Sequence, residues 1–219
     1  FEVPKDALES LQQNFEVAND GTQTLTPEQM SATLQDFESD SNIKELAEPE
    51  VTTTVGRQTE MRATEIQTII TKFIFQETST NSEIAPRTEK VEFGPVLDVI
   101  PNVSSDGQKI KLTTIASDTK FFGYADPKNS PESFATNSAG EKVNLPAVLP
   151  VVQMNRASVQ AVVSDGETLV LFPKAEVQQD QRLAQHIAQT EKKNGKKYLV
   201  AFITPTIVDA SGNRIHSEK

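Results

Sequence analysis

The chain has no cysteine, which excludes disulfide frameworks, Cys-based zinc sites and thiol catalysis. Histidine is nearly as scarce: the two residues, His186 and His216, read as solvated or packing side chains. A metal site wants His and carboxylates clustered at ligand spacing. Asp180 and Glu191 lie near His186, but no i, i+4 His pair exists, so that spacing is missing. Positive charge is also short. There are 21 Lys and Arg against 31 Asp and Glu, giving a formal net charge of −10 and a pI near 4.8. A phosphate backbone needs a basic surface, so no nucleic-acid partner is expected; anionic lipid is disfavoured for the same reason. Apolar residues reach only 36%, and no run approaches the roughly 18–20 apolar residues of a membrane helix. The chain opens on Phe1-Glu2-Val3 instead of Met and a basic segment, as expected of a processed chain or a piece of a longer one.

Catalytic signatures are missing as well. There is no G-x-S-x-G elbow, phosphate-binding glycine loop or dinucleotide fingerprint. The acidic pair Glu48/Glu50 sits on a polar, turn-like segment where solvation is the default. Asp106-Gly107 and Asp165-Gly166 lack the alternating Asp positions and closing Glu of a calcium loop, so they read as turns. The expectation is a protein that is not an enzyme, with no catalytic residues, no metal, no cofactor and no small-molecule substrate.

What is present is a β grammar with helical flanks. Residues 5–15 place Leu8, Leu11 and Phe15 on one helical stripe, and Asn19-Asp20-Gly21 breaks it. Thr26 as N-cap, Pro27 and Gln29 spell a capping box for a helix over 27–40 carrying Met30, Leu34 and Phe37. Strands are predicted at Val51–Val55 and Glu65–Phe75 from their β-branched and aromatic content. The polar residues 76–90, with Pro86, read as a mobile loop. Val91–Pro101 and Lys109–Ile115 flank Asp106-Gly107, a strong hairpin signal, and the device recurs at Asp165-Gly166 between Ser158–Val163 and Thr168–Phe172. Residues 117–148, with Gly123, Pro127, Pro131, Gly140 and Pro146, read as an inserted surface excursion. A third helix is predicted over 179–192, with Leu183, Ala184, Ile187 and Ala188 as its stripe and Asn194-Gly195 as its stop. Tyr198–Val208 is the most apolar run; Pro205 inside it argues for a strand end or an edge. The fold class that follows is β-dominated α+β, a mostly antiparallel sheet of hairpins with a few flanking helices. Phe73, Phe75, Phe93, Phe121, Phe122 and Tyr124 are expected to pack the sheet, some of them toward a neighbouring subunit. Long Thr-rich strands suit a ladder whose edges pair with another chain.

The order of these elements resembles one family. Leu34-Gln35-Asp36-Phe37 leads through Leu46-Ala47-Glu48-Pro49-Glu50-Val51-Thr52-Thr53, then Gly56-Arg57-Gln58 and Glu60-Met61-Arg62-Ala63. Val91 to Pro101 follows, with Gly94 and Pro101 at motif positions, then Asp106-Gly107 before Ile110-Lys111-Leu112. Arg156 precedes Val159–Val163 and Asp165-Gly166-Glu167-Thr168-Leu169, and Phe202-Ile203-Thr204-Pro205-Thr206-Ile207-Val208 closes the series. In this order over residues 34–208, the landmarks resemble the C-terminal homology region of bacterial secretins. The resemblance divides the chain into a helical lead-in at 1–33, a secretin-like β domain at 34–208 and a tail at 209–219. It implies homo-oligomeric rings through which folded proteins, pili or phage cross the outer membrane of Gram-negative-type bacteria. Partners would be copies of the full-length protein and components of a secretion system, in the outer membrane or periplasm. Phe172-Pro173-Lys174 stands where secretins usually carry Gly-Gly-Leu, and a charged helix follows. A soluble periplasmic binding or scaffold module of the same fold, forming no pore, is the alternative.

Overall fold

A helix start can be read atom by atom at Thr26. Its hydroxyl accepts from the Gln29 amide, and the Gln29 side chain accepts from the Thr26 amide. Pro27 occupies a position where a missing N–H costs nothing. The computed structural model describes residues 1–14, 22–78, 80–129, 132–175 and 180–216. Its elements are β1 (Glu2–Val3), α1 (Lys5–Asn14), β2 (Thr22–Leu25), α2 (Pro27–Ser39), β3 (Thr59–Arg62), β4 (Glu65–Glu77), β5 (Ser82–Val103) and β6 (Lys109–Tyr124). Then come β7 (Ser133–Thr136), β8 (Lys142–Leu145), β9 (Pro150–Ser164), β10 (Thr168–Leu171), β11 (Lys174–Ala175), α3 (Gln181–Asn194), β12 (Tyr198–Leu199) and β13 (Ala201–Ile203). With 48% strand, 19% helix and antiparallel pairing, the fold is β-dominated α+β, as the sequence implied. Phe15, Asn19-Asp20-Gly21, Pro131 and Gln179 lie outside the described residues.

Three layers form the body. A six-stranded sheet runs β11-β9-β6-β5-β3, with β4 continuing on β5, and a three-stranded sheet runs β13-β10-β2. Along β6 the pleat buries Ile110, Leu112, Thr114, Ala116 and Asp118 on one face. That face, with Val99 and Val163, packs on Leu169 and Leu171 of β10 and Ile203 of β13. From the opposite side of β10, Val170 packs with Leu11 of α1, Phe37 of α2 and Val200. All four residues of β10 are therefore buried, between the large sheet and the α1/α2 layer. Burying each Leu contributes roughly 1.5–3 kcal/mol. Helix α3 closes a third cluster, Ile187 against Ala125 and Val151. Residues 1–33 are woven into this body, because β1 pairs β12 and β2 pairs β10.

Five local expectations need correction. Val51–Val55 is not a strand: its β-branched side chains favour extension, but among the described residues no strand pairs with them, and Thr54–Arg57 turns instead. Residues 76–90 are not a loop but the paired ends of β4 and β5, joined through 78–81. Ladder pairing needs backbone groups, not apolar side chains, and Pro86 is tolerated because β5 has no second partner there. The excursion expected at 117–148 begins later, because β6 continues to Tyr124 and stays paired with β9. Asp165-Gly166 turns the chain but makes no hairpin, because β10 leaves for the smaller sheet and the Gly166 amide donates to the Pro205 carbonyl. The run 198–208 is two short strands, and Pro205 lies beyond the end of β13.

Gly107 and Gly166 hold φ of +71° and +82°, with open space where a Cβ would sit. Replacing either by Val should therefore cost only the left-handed backbone strain, about 1–2 kcal/mol. Urea melts read the loss; unchanged midpoints for both would contradict the turn geometry.

Candidate functional site

The surface of most interest grows from one long strand. β5 has 22 residues. On one edge β3 and then β4 pair along it, while on the other edge β6 pairs only with Gly94–Val103. Ser82–Phe93 is thus bonded on one side, and β4–β5 extends from the body as a two-stranded arm. Among the described residues, none between 65 and 92 belongs to the three apolar clusters of the body. An edge of unpaired N–H and C=O groups is a template for another strand.

The arm is two-faced because of one extra residue. The register shifts between Ile70 and Lys72, placing a bulge at Thr71. With strict alternation Phe73 would point away from Ile70. The bulge instead sets Ile66, Ile70, Phe73 and Phe75 on the face of their partners Glu92, Thr88, Pro86 and Ile84. The opposite face carries Lys72, Arg87, Glu83 and Glu89 with Ile69 and Ile74. Ile66 and Ile84 are exposed, at 62% and 42%. Among the described residues no helix is long and apolar enough to cross a membrane, a result that does not bear on crossing by strands.

Gly94 stands where body becomes arm. It has φ +122°, and an added Cβ would lie 2.7 Å from the Ala63 carbonyl oxygen, where the chain passes from β3 to β4. Pro101 pairs with Leu112 in the ladder, and its carbonyl accepts from the Gly56 amide. Pro49 lies exposed outside any strand, and Arg156 is exposed on β9 between Ser117 and Lys174. The Asp106 turn is locally closed: its carboxylate accepts from the Gln108 amide and from the Ser104 hydroxyl.

Two late motifs meet in space. The Thr168 and Thr204 hydroxyls are hydrogen-bonded at 2.8 Å, and the Asp165 carboxylate accepts from the Ile207 amide at 2.7 Å. His216 Nδ1 lies 2.9 Å from Asp165, so the tail returns to the same corner. His186 instead donates to the Phe122 carbonyl. Among the described residues no three His, Cys, Asp or Glu side chains stand together as a metal site.

Sequence reasoning missed the polar end of the buried β6 face. Asp118 is 2% exposed, and its Oδ2 lies 3.4 Å from Lys120 Nζ without an accepted hydrogen bond. Lys120 also pairs with Glu2, whose backbone is bridged to Lys44. Burial pushes the Asp118 carboxyl up to about 6, with the Phe1 ammonium pulling the other way. Burial likewise lowers the Lys120 ammonium, with Glu191 opposing. An Asp in an otherwise apolar-alternating strand was the available signal. The triad of Asp118, Lys120 and Glu2 ties β1 to the sheet.

No curated protein and no solved structure matches this chain. A family model does, described as Secretin, bacterial type II and III secretion system protein, over residues 36–172. That span covers more than half of the chain and takes in the end of α2, the arm, both Asp-Gly turns and the strands between them. The chain belongs to the secretin family of bacterial type II and III secretion-system proteins, a family of transport channels of the cell envelope.

Proposed function

We propose that this chain is a non-enzymatic subunit of a secretin-type outer-membrane channel for protein export, acting by homo-oligomeric β assembly. Residues 34–208 are its secretin-like unit, and its partners are further copies of the full-length protein together with secretion-system components. One observation carries the reading: Ser82–Phe93 is a long strand with a free edge, outside the apolar clusters that hold the body together. Backbone groups in hydrocarbon must all be paired, so such an arm can cross a bilayer only as part of a closed, shared barrel. The 13 residues of β4 exceed the roughly 9–11 that a tilted membrane strand needs. In the middle of the arm, the side with Ile70, Phe73, Phe75, Ile84 and Pro86 suits lipid, bounded on the same face by Glu77 at the tip and by Lys90 and Glu92 at the root. The side with Lys72, Arg87 and Glu89 suits a wet lumen. The motif residues Pro49, Gly94, Pro101, Arg156, Thr204 and Pro205 act in this reading by shaping the strands, not by touching cargo.

Reconstitution of the protein into lipid vesicles tests it, with light scattering and negative-stain images as readouts. Closed rings are expected. A variant with residues 72–87 replaced by an Asn-Gly turn should stay monomeric while keeping the body's circular dichroism and urea midpoint. Rings from the shortened variant, or monomers only from the intact protein, would overturn the proposal.

A further inference from the structure

We propose that the outer edge of β4 is a second self-association edge, held shut in the free subunit by Tyr124 and the β7–β8 hairpin. The proposal rests on the assembly reading above and concerns its control. A ring of identical subunits is closed by heterologous contacts, each joining two different edges. The Ser82–Glu92 edge of β5 is one of them, and the continuous complement on the same arm is the far side of β4. β4 has a ladder with β5 alone. Its other side, however, is occupied by the chain itself.

At mid-arm the Ile70 amide, turned out of the ladder beside the bulge, donates to the Tyr124 hydroxyl at 2.8 Å. Tyr124 is held there by an edge-to-face contact with Phe121, which stacks on Phe93 of β5. At the arm's end, Ser138 donates to both carboxylate oxygens of Glu77, from its amide at 2.7 Å and its hydroxyl at 3.0 Å. Ser138 is presented by a fixed turn, because Asn137 Oδ1 accepts from the Ala139 and Glu141 amides at 3.1 and 2.8 Å. β8, the second strand of that hairpin, also comes close to β4. These few exposed hydrogen bonds are individually weak, whereas an incoming strand would offer a full ladder. The strap is therefore displaceable by a neighbour, and it blocks the pairing of stray strands before one arrives.

Three measurements test this on the protein in buffer and in vesicles. In monomers, Tyr124→Phe with Glu77→Ala should speed hydrogen exchange of the β4 amides about tenfold, the Ile70 amide most, leaving the β5–β6 ladder unchanged. Unchanged exchange would overturn the strap whatever the oligomer does. In vesicles the same variant should form rings about tenfold faster. Because the chain has no native cysteine, Glu77→Cys with Ser138→Cys can be bridged selectively by a short bismaleimide, which should abolish ring formation. If rings form at the same rate in native, variant and bridged protein, the strap proposal falls and the channel reading stands. If no form of the protein makes rings, both fall.

Discussion

Replacing Gly94 by Ala is expected to destabilise the protein by about 2–5 kcal/mol, from positive-φ strain plus overpacking against backbone. The added Cβ would sit 2.7 Å from the Ala63 carbonyl oxygen and 3.2 Å from the Thr64 Cα. Neither atom can rotate away, because both belong to backbone and the Ala63 amide is bonded to the Pro95 carbonyl beside Gly94. Gly107 is the internal control: it also has positive φ, but nothing stands within 4 Å of its Cβ position. Urea denaturation of the two Ala variants separates strain from clash. Equal losses would mean that the backbone joining β3 to β4 does not lie against Gly94. Beyond stability, Gly94→Ala should loosen the arm first, since the clash lies at its root. Exchange of the β4 amides should rise before that of the β6 amides.

Asp118→Asn is expected to stabilise the protein by about 1–2 kcal/mol near neutral pH and to flatten its stability in acid. The carboxyl titrates at about 6 in the fold against an ordinary value of 3.8. Between those values the folded chain binds more protons than the unfolded one. Stability from this group therefore falls as pH rises through the window. Above about pH 6 the buried charge is a standing cost, bounded near 3 kcal/mol by the size of the shift. Asn leaves a polar group buried at the same place, which is why the expected gain is smaller than the bound. Urea melts at about pH 4, 6 and 8 read both effects, since the window is set by the shift itself. A variant less stable than the native chain at pH 8 would show that the Asp118–Lys120 pair is net favourable.

The α2 capping box was legible because every atom that decides it lies within a few residues. The Asp106-Gly107 hairpin was legible for the same reason, as was the break at Pro205. The reading at 76–90 failed on a non-local fact. Those residues are polar, but the Ile- and Phe-rich β4 lies opposite and satisfies their backbone. Asp165-Gly166 failed in another way. Turn chemistry says that the chain reverses, not which sheet the next strand joins, and β10 is claimed by Gln23 and Phe202 on either side of Val170. The bulge in β4 is visible only once the partner strand fixes the register.

Absences and local rules alone determined that this is an acidic, cysteine-free, β-dominated chain with capped helices and Asp-Gly turns. The ordered landmarks from Leu34 to Val208 pointed to its family. Composition and short-range hydrogen bonding decide such features within one turn or one hairpin. Only the tertiary structure decided that β5 outruns its partner β6, and that the backbone between β3 and β4 lies close against Gly94. It alone set Tyr124 and Ser138 against β4 and buried Asp118 beside Lys120. Each of these depends on groups far apart in sequence meeting at fixed distance, and a strand's edges and a carboxyl's solvation exist only once its neighbours are in place.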